Sequence, residues 1–245
     1  MLMEKGCRLS DMLEIASGSV IAVVGCGGKT SLIELLARQN ADKRVLITPT
    51  TKMFPISAPD VMMRNTVYSS LRHMPKSGIS LLGQINKQSG KLEALPESAL
   101  YSLIPKYDIV FIEADGSRGL PCKGWVGDEP IIPICATHTV GVVTMDALGR
   151  AAANDIVHNL SAFLELTGLN EGDVITGQAL ENMVCLQEGM YRNSFGKRYL
   201  VVNKVQDEAS VFCAVSILRA LKKRYPERFR RLVYGSVHDN IWHWM

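Results

Sequence analysis

Residues 19–32, Ser-Val-Ile-Ala-Val-Val-Gly-Cys-Gly-Gly-Lys-Thr-Ser-Leu, decide how this chain of 245 residues folds. An apolar run leads into a glycine-rich turn, and a sequence with helical periodicity follows from Lys29 onward. A strand, a glycine loop and a helix in this order are typical of a phosphate-binding P-loop. Glycines let successive backbone N–H groups point at one anion, and the N-terminus of the helix adds its positive dipole.

The complete motif, Gly-x-x-x-x-Gly-Lys followed by Ser or Thr, requires a glycine at position 23, where this chain has Val23. The remaining pattern, Gly25-x-x-Gly28-Lys29-Thr30, resembles the loop of the amide-forming peptidoglycan ligases. In this interpretation Lys29 binds the terminal phosphates of ATP or GTP, and the Thr30 hydroxyl binds Mg²⁺. The alternative is a glycine turn whose lysine faces solvent. The residues predicted to bind the nucleotide here are Gly25, Cys26, Gly27, Gly28, Lys29, Thr30 and Ser31.

A second, acidic motif, Glu-Ala-Asp-Gly at 113–116, follows an apolar run of strand length. In a P-loop protein an acid at this strand end lies beside the Mg²⁺, and an Asp-Gly just beyond it can contact the γ-phosphate. Because side chains alternate along a strand, Glu113 and Asp115 are expected to point the same way and to bind the metal or position a water. The alternative is a strand that ends in a common Asp-Gly turn. We predict catalytic roles for Lys29, Glu113 and Asp115, and Mg²⁺ binding by Thr30, Glu113 and Asp115.

Polar loops near the carboxyl ends of the strands are predicted to bind a second ligand, because α/β sheets bind ligands at that edge. Thr-Thr-Lys at 50–52 ends the second strand, and both basic and acidic side chains occur over 118–129. An arginine there can bind a phosphate or a carboxylate through two hydrogen bonds. The alternative is a set of solvated loop charges. The predicted substrate-binding residues are Thr50, Thr51, Lys52, Arg118, Lys123 and Glu129, with Asp128 beside them.

The motif Asn-Lys-Val-Gln-Asp at 203–207 resembles the Asn-Lys-x-Asp loop that reads guanine in GTPases. Its Asp207 comes one residue late, and base recognition depends on fixed donors and acceptors. We therefore predict that Asn203 and Lys204 bind the nucleotide, while the choice between adenine and guanine stays open. His158, inside a helical run over 156–166, either faces the substrate crevice or is a structural histidine.

Apolar runs of strand length alternate with helical patterns along the chain. This alternation predicts an α/β fold with a mostly parallel sheet and helices on both faces. Two extended runs within 79–95, on either side of an Asn-Lys-Gln-Ser-Gly turn, predict a β-hairpin insertion. No repeat or linker divides the sequence, so residues 1–245 are predicted to form a single P-loop NTPase-like domain. Further strands are predicted at 44–48, 139–143, 199–203 and 232–237, and helices at 96–103, 156–166 and 178–186.

Composition argues against several classes of protein. The formal net charge of +3 is too small to indicate a nucleic-acid partner. The six cysteines form no Cys-x-x-Cys pair, which favours a reducing cytoplasm as the location. The first residues contain no long apolar run, so neither a signal peptide nor a membrane anchor is predicted. Cys26 lies at a helix N-terminus, where the pKa of a thiol tends to fall, although the motif leaves this position free.

Several blocks of sequence, taken in order, resemble the YqeC family over nearly the whole chain. The most specific are Leu-Ile-Thr-Pro-Thr-Thr-Lys-Met at 46–53, Ile-Glu-Ala-Asp-Gly-Ser-Arg-Gly-Leu-Pro-Cys-Lys at 112–123 and Glu-Pro-Ile-Ile-Pro at 129–133. The resemblance implies a P-loop NTP-binding fold and a role in maturing the cofactor of selenium-dependent molybdenum hydroxylases. A molybdopterin-type cofactor or the hydroxylase itself is then the implied partner. The residues to which it assigns roles are Gly25, Gly28, Lys29, Thr30, Thr50, Thr51, Lys52, Glu113, Asp115, Arg118, Lys123 and Glu129.

These observations leave three functions to compare. The leading hypothesis is a Mg²⁺-dependent NTPase, or an NTP-driven transferase, that serves this cofactor maturation. The second is a nucleotide-gated module that carries the cofactor or docks onto the hydroxylase with little turnover. The third is a small-molecule kinase in which Arg118 and Lys123 hold the acceptor. Glu113 and Asp115 favour hydrolysis, whereas the lack of a lid rich in lysine or arginine favours slow turnover, because transition-state charge needs a cation.

Overall fold

A computed structural model describes residues 7–56, 61–65 and 76–245 of the chain. Thirteen strands are present in these ranges, and eleven of them form one sheet. The strands are β1 Ser19–Gly25, β2 Arg44–Pro49, β3 Lys52–Met53, β4 Val61–Asn65, β5 Gly78–Ile85, β6 Leu92–Glu93, β7 Ile109–Glu113, β8 Cys122–Lys123, β9 His138–Thr144, β10 Val157–His158, β11 Lys197–Asn203, β12 Arg231–Ser236 and β13 Ile241–Trp244. The helices are α1 Leu9–Met12, α2 Lys29–Arg38, α3 Glu97–Leu103, α4 Leu160–Thr167, α5 Gly177–Cys185 and α6 Glu208–Arg224.

The large sheet has the order β13-β12-β11-β9-β1-β7-β2-β5-β6-β3, and β4 pairs with β5. All pairings from β12 to β5 and β4 are parallel, whereas β13, β6 and β3 pair antiparallel. The prediction of a mostly parallel α/β sheet is confirmed. Because the strands are parallel, the loops after β1, β7, β2, β9 and β11 all meet at one edge.

Two apolar cores lie on opposite faces of this sheet, since successive side chains of a strand point to opposite sides. Within β1, Val20 and Val24 belong to the core that includes residues of α3, α4, α5 and α6. Ile21 and Val23 belong to the other core, which includes residues of α1 and α2. Every residue of β1 is buried, as expected for a central strand covered by helices on both sides. The predicted helices on both faces are therefore confirmed.

The predicted hairpin is present, but its first strand also belongs to the main sheet. The end of β5 pairs antiparallel with β6 around the turn at 86–91. The preceding residues of β5 pair in parallel with β2 and β4. The pairing of β5 with β2 joins residues that are distant in sequence. The local turn pattern therefore predicted the hairpin but could not predict that β5 also pairs with β2.

The predicted helix over 156–166 is shorter than the periodicity suggests. Residues 157–158 instead form β10, which pairs with β8 in a separate two-stranded sheet. Helix α4 begins at Leu160, after Asn159 in a left-handed backbone conformation. His158 is therefore a strand residue paired with Lys123. Within the described ranges, no helix has the length and apolar character needed to cross a membrane.

Candidate functional site

The loop between β1 and α2 has a shape that only glycine adopts easily. Gly25, Gly27 and Gly28 have φ values of +99°, +83° and +117°. A Cβ at Gly27 would lie 2.3 Å from Thr144 Cβ, and one at Gly28 would lie 2.6 Å from Asn203 Nδ2. The loop therefore requires glycine for its backbone conformation and for its close contact with the ends of β9 and β11.

Several backbone N–H groups of this loop have no hydrogen-bond acceptor among the described residues. Cys26 N–H donates to Val142 O at 3.0 Å, and Gly25 N–H donates to Asp115 Oδ2 at 3.0 Å. No acceptor in the described part of the chain meets the N–H groups of residues 27–31. These groups lie at the N-terminus of α2, where the helix dipole also favours an anion. The loop therefore has the features of a phosphate-binding nest.

Lys29 is held at the centre of this loop. Its side chain is 3% exposed, and its Nζ lies 2.6 Å from Gly25 O and 3.1 Å from Asp115 Oδ1. A weaker contact of 3.4 Å reaches Ser117 Oγ. Burial alone would lower the pKa of the Lys29 ammonium, but the carboxylates of Asp115 and Glu113 outweigh it and raise this pKa above its usual value. Lys29 therefore stays charged, and it lines the cavity that opens beside this loop.

Asp115 occupies a different position from the one predicted for it. Its side chain is fully buried, and its Oδ2 accepts hydrogen bonds from Gly25 N and from Trp125 Nε1, the latter at 2.8 Å. Lys123 Nζ lies 3.7 Å from the same oxygen. Asp115 does not line the cavity, so in this structure it positions Lys29 and the loop. The predicted roles of Asp115 as a Mg²⁺ ligand and a catalytic group therefore stay predictions, and the contacts seen here are to protein groups alone.

Thr30 and Glu113 form the part of the site that fits Mg²⁺. Thr30 Oγ1 donates to Glu113 Oε2 at 2.7 Å, and both residues line the cavity. Burial raises the pKa of Glu113, which means that a cation beside it would be favourable. Among the described residues, no group of three or more His, Cys, Asp or Glu side chains could hold a metal. Mg²⁺ commonly binds one or two carboxylates together with substrate phosphates, and a hydroxyl next to one carboxylate suits that mode.

Asn203 and Lys204 support the loop from outside the cavity. Asn203 Nδ2 donates to Gly27 O at 2.9 Å, and its Oδ1 accepts from Val237 N at 3.0 Å. Lys204 Nζ forms a 2.5 Å ion pair with Asp146. Neither residue lines the main cavity, so their predicted contact with a nucleotide stays a prediction.

Asp207, which resembles the guanine-reading aspartate of GTPases, serves here as a helix cap. Asp207 caps helix α6, because its Oδ1 accepts from Ser210 N at 2.7 Å. The neighbouring Gln206 donates to Asp239 Oδ2 at 3.0 Å. The preference between adenine and guanine therefore stays open.

Cys26 contributes its backbone, not its thiol, to the loop. The side chain is fully buried in the core between the sheet and the helices α3 to α6. Burial raises the pKa of this thiol to about 12. The expectation of a lowered pKa at the helix N-terminus is wrong here, because burial outweighs the helix dipole. Cys26 is consequently an unreactive core residue.

A cavity of about 720 Å³ opens directly from the loop. Most of the predicted site residues, although distant in the sequence, line this cavity. They include Ser31, Thr51, Lys52, Arg118 and Glu129. Its volume lies in the range of small-molecule sites. The lining residues are Gly28, Lys29, Thr30, Ser31, Thr51, Lys52, Met53, Phe54, Lys91, Glu93, Ala94, Glu113, Gly116, Ser117, Arg118, Gly119, Glu129 and His158.

Two of the predicted substrate residues do not line this cavity. Thr50 Oγ1 donates to Ile131 O at 2.7 Å, which ties the end of β2 to the loop after residue 129. Lys123 is fully buried, and its Nζ contacts Gly116 O and Glu129 Oε2, each at 2.5 Å. Lys123 therefore contacts Asp115 and Glu129 from a buried position that does not line the cavity.

Several residues of the site carried no decisive signal in the sequence. Trp125 binds Asp115 through its indole N–H, a contact that depends on tertiary packing alone. Phe54, Lys91 and Glu93 reach the cavity because β3 pairs with β6. His158, for which two positions were open, lines the cavity, and burial together with nearby cations lowers its pKa. The lowered pKa favours the neutral imidazole.

Comparisons with known proteins agree with the motifs quoted above. The family model described as YqeC protein matches residues 21–161, a segment that contains the glycine loop, Glu113 and the cavity residues up to His158. The Escherichia coli (strain K12) protein described as "Uncharacterized protein YqeC" is 34% identical over 181 residues. The alignment covers 71% of this chain and 71% of that protein.

Proposed function

Since this chain belongs to the YqeC family, as the family model and the Escherichia coli relative show, we propose that it binds a nucleoside triphosphate with Mg²⁺ at residues 25–31. The nucleotide is hydrolysed, or its phosphoryl group is transferred, in the maturation of a selenium-dependent molybdenum hydroxylase cofactor. The family resemblance supports the pathway, and the cavity supports the chemistry. The scattered cysteines support a cytoplasmic location.

One observation carries the nucleotide part of the proposal. The N–H groups of residues 27–31 have no acceptor in the described part of the chain, and residues 28–31, including Lys29, line the same cavity. Backbone donors without an acceptor at a helix N-terminus favour an anion, and the Lys29 ammonium beside them adds positive charge. The phosphates of a nucleoside triphosphate supply several oxygens that can accept hydrogen bonds from these donors.

The residues also fit Mg²⁺ beside those phosphates. Thr30 and Glu113 would hold the ion, and both line the cavity next to Lys29. When bound, Mg²⁺ supplies positive charge that offsets the charge on the phosphate oxygens. Asp115 is not included in this set because it does not line the cavity. Its Oδ2 accepts hydrogen bonds from Gly25 N and Trp125 Nε1, and its Oδ1 forms an ion pair with Lys29.

Group transfer is the form of the reaction that the cavity favours. Arg118 lines it and has no carboxylate partner among the described residues, so it can stabilise transferring phosphoryl charge. The cavity also continues beyond the phosphate loop to Phe54 and His158. That additional space accommodates an acceptor, whereas hydrolysis alone needs only a water.

Calorimetric titration with ATP and GTP, with and without Mg²⁺, tests the binding step. We expect Lys29→Met to weaken binding by about 1.5–3 kcal/mol, which is about 10- to 150-fold, because a charged hydrogen-bond donor is lost. Lys222→Met on the exposed face of α6 is the matched control and should bind as the wild type does. Absence of binding and of Mg²⁺ dependence for both nucleotides in the wild type would refute the proposal.

Turnover and pathway need separate measurements. Phosphate release should drop in Glu113→Gln while nucleotide affinity largely survives, because the carboxylate acts mainly as charge develops. Mass spectrometry of candidate acceptors distinguishes transfer from hydrolysis. Hydroxylase activity per bound molybdenum, measured with co-expressed wild type or Lys29→Met, tests the role in maturation. Equal hydroxylase activity with both would separate this protein from that pathway.

A further inference from the structure

Phe54 is an exposed aromatic side chain inside the candidate site. Its side chain is 59% exposed, although the ring lines the same cavity as Lys29 and Thr30. It directly follows β3, in which Met53 is buried and packs in the core, so the alternation of an extended chain turns Phe54 to the opposite side. Ligand pockets are commonly lined by aromatic side chains, so this ring is a candidate contact for a ligand in the cavity.

The surroundings of this ring are cationic. Lys91 Nζ lies 4.5 Å from the centre of the Phe54 ring. Lys52 is neutralised by Glu93 at 2.9 Å, but in the described ranges neither Lys91 nor Arg118 has a carboxylate partner. A cavity that contains an aromatic ring and two cations without a carboxylate partner among the described residues is complementary to a flat ring that carries negative charge.

Phe54 and Lys91 form one side of the cavity, here called the Phe54 wall. The order of strands in the sheet separates this wall from the residues that are expected near a nucleobase. β3 and β6 lie on the β2 side of β1, whereas Asn203 and Lys204 follow β11 on the β9 side. The cavity contains Phe54 and Lys91 and does not contain Asn203 or Lys204. A nucleotide whose phosphates occupy the glycine loop and whose base lies toward β11 therefore leaves the Phe54 wall free.

We propose that Phe54, Lys91 and Arg118 form the subsite of the second substrate, which is a planar heteroaromatic compound carrying an anionic group. Its ring stacks on Phe54, and its anionic group pairs with Lys91 and Arg118. The assignment of this compound as the acceptor rests on the proposed function, whereas its binding to the Phe54 wall does not. The subsite lies next to the phosphate loop within one cavity, which is the arrangement that transfer requires.

The test uses 2-naphthyl phosphate as the probe, with cyclohexyl phosphate as a non-aromatic match of similar charge. Protein saturated with Mg²⁺ and a β,γ-imido nucleotide is titrated, so that the glycine loop is already filled. We expect the wild type to prefer 2-naphthyl phosphate, and Phe54→Ala to weaken that probe about tenfold. Phe54→Tyr should bind like the wild type, because it keeps the stacking surface. Phe212→Ala, which removes a 74% exposed ring from α6, is the matched control.

Three results would overturn the proposal. One is equal affinity of the wild type for the naphthyl and cyclohexyl probes. Another is a Phe54→Ala variant that weakens the imido nucleotide but not inorganic triphosphate, since the ring would then stack on the nucleobase. The third is loss of the probe preference in Phe212→Ala as well. If the imido nucleotide does not bind at all, the proposed function fails, and the same probe titrations without nucleotide still decide whether the subsite exists.

Discussion

Replacing Asp115 by Asn should destabilise the protein far more than removing an ordinary carboxylate. Asp115 is fully buried between two lysines, at 3.1 Å from Lys29 Nζ and 3.7 Å from Lys123 Nζ. Asparagine keeps the shape, and its oxygen can still accept from Gly25 N and Trp125 Nε1. The substitution therefore removes mainly the negative charge, and it leaves two buried ammonium groups with less compensation.

The size of the effect follows from these distances. At 3.1 Å and an effective dielectric constant near 20, the attraction between Asp115 and Lys29 is about 5 kcal/mol. Lys123 retains Glu129 as a partner, so most of the loss falls on Lys29. Breaking one side of a buried ion pair typically costs about 3–5 kcal/mol. We expect Asp115→Asn to lower the free energy of unfolding by that amount.

Urea unfolding followed by far-ultraviolet circular dichroism measures this change without relying on Trp125, which contacts Asp115. Asp108→Asn is the matched control, because Asp108 pairs with Arg44 at 2.6 Å at a partly exposed position, where water can compensate the partner that remains, so its loss should be smaller. The double variant Lys29→Met/Asp115→Asn should lose less than the sum of its two single variants, because the unpaired charge is gone. A loss in Asp115→Asn no larger than that in Asp108→Asn would refute the assignment of Asp115 as the counter-ion of Lys29.

Two further predictions concern pH and backbone shape. Burial opposes ionisation of Glu14, but hydrogen bonds from a lysine, a tyrosine and an arginine lower its pKa to about 2. Its stabilising contribution is therefore present above about pH 4.5 and lost as the pH falls through 2, so the difference in unfolding free energy between wild type and Glu14→Gln should shrink over that interval. Gly28→Ala should weaken nucleotide binding, measured by calorimetric titration. It should also lower the free energy of unfolding by about 1–3 kcal/mol, because φ at this position is +117° and the new Cβ would contact Asn203. Gly18→Ala, at φ +88° with open space around it, should lose stability without affecting binding.

Local sequence predicted the parts of the site that depend on one segment or on parallel register. The strand, glycine loop and helix at 19–38 are continuous in the chain, so their order was sufficient. Glu113 was found because a buried parallel strand must end at the same sheet edge as β1, and the register places Val23 opposite Glu113. Thr30 follows from its position one residue after Lys29, which puts its hydroxyl 2.7 Å from that carboxylate.

Burial of the second acid was not predictable from the same reasoning. Alternation predicted that Glu113 and Asp115 point the same way, but strand β7 ends at Glu113, and alternation says nothing about what covers the residues beyond it. Trp125 and Lys123 return to Asp115 from a later loop and enclose it. Phe54 was missed for a related reason, since its place in the cavity follows from the pairing of two-residue strands that have no periodicity to detect.

This enclosure changes how the glycine loop would meet a phosphate. A lysine on a flexible stem loses rotamer entropy when it pairs with an anion, at a cost of up to about 2 kcal/mol. Here Gly25 O and Asp115 already hold the Lys29 ammonium at the loop, so the side chain loses its rotamer entropy during folding and not when a phosphate binds. Lys123 shares the charge of Asp115 and therefore reduces the competition between this carboxylate and an incoming phosphate for Lys29. The buried lysine pair thus keeps Lys29 ordered while leaving it electrostatically available, which a single Lys–Asp pair would not achieve.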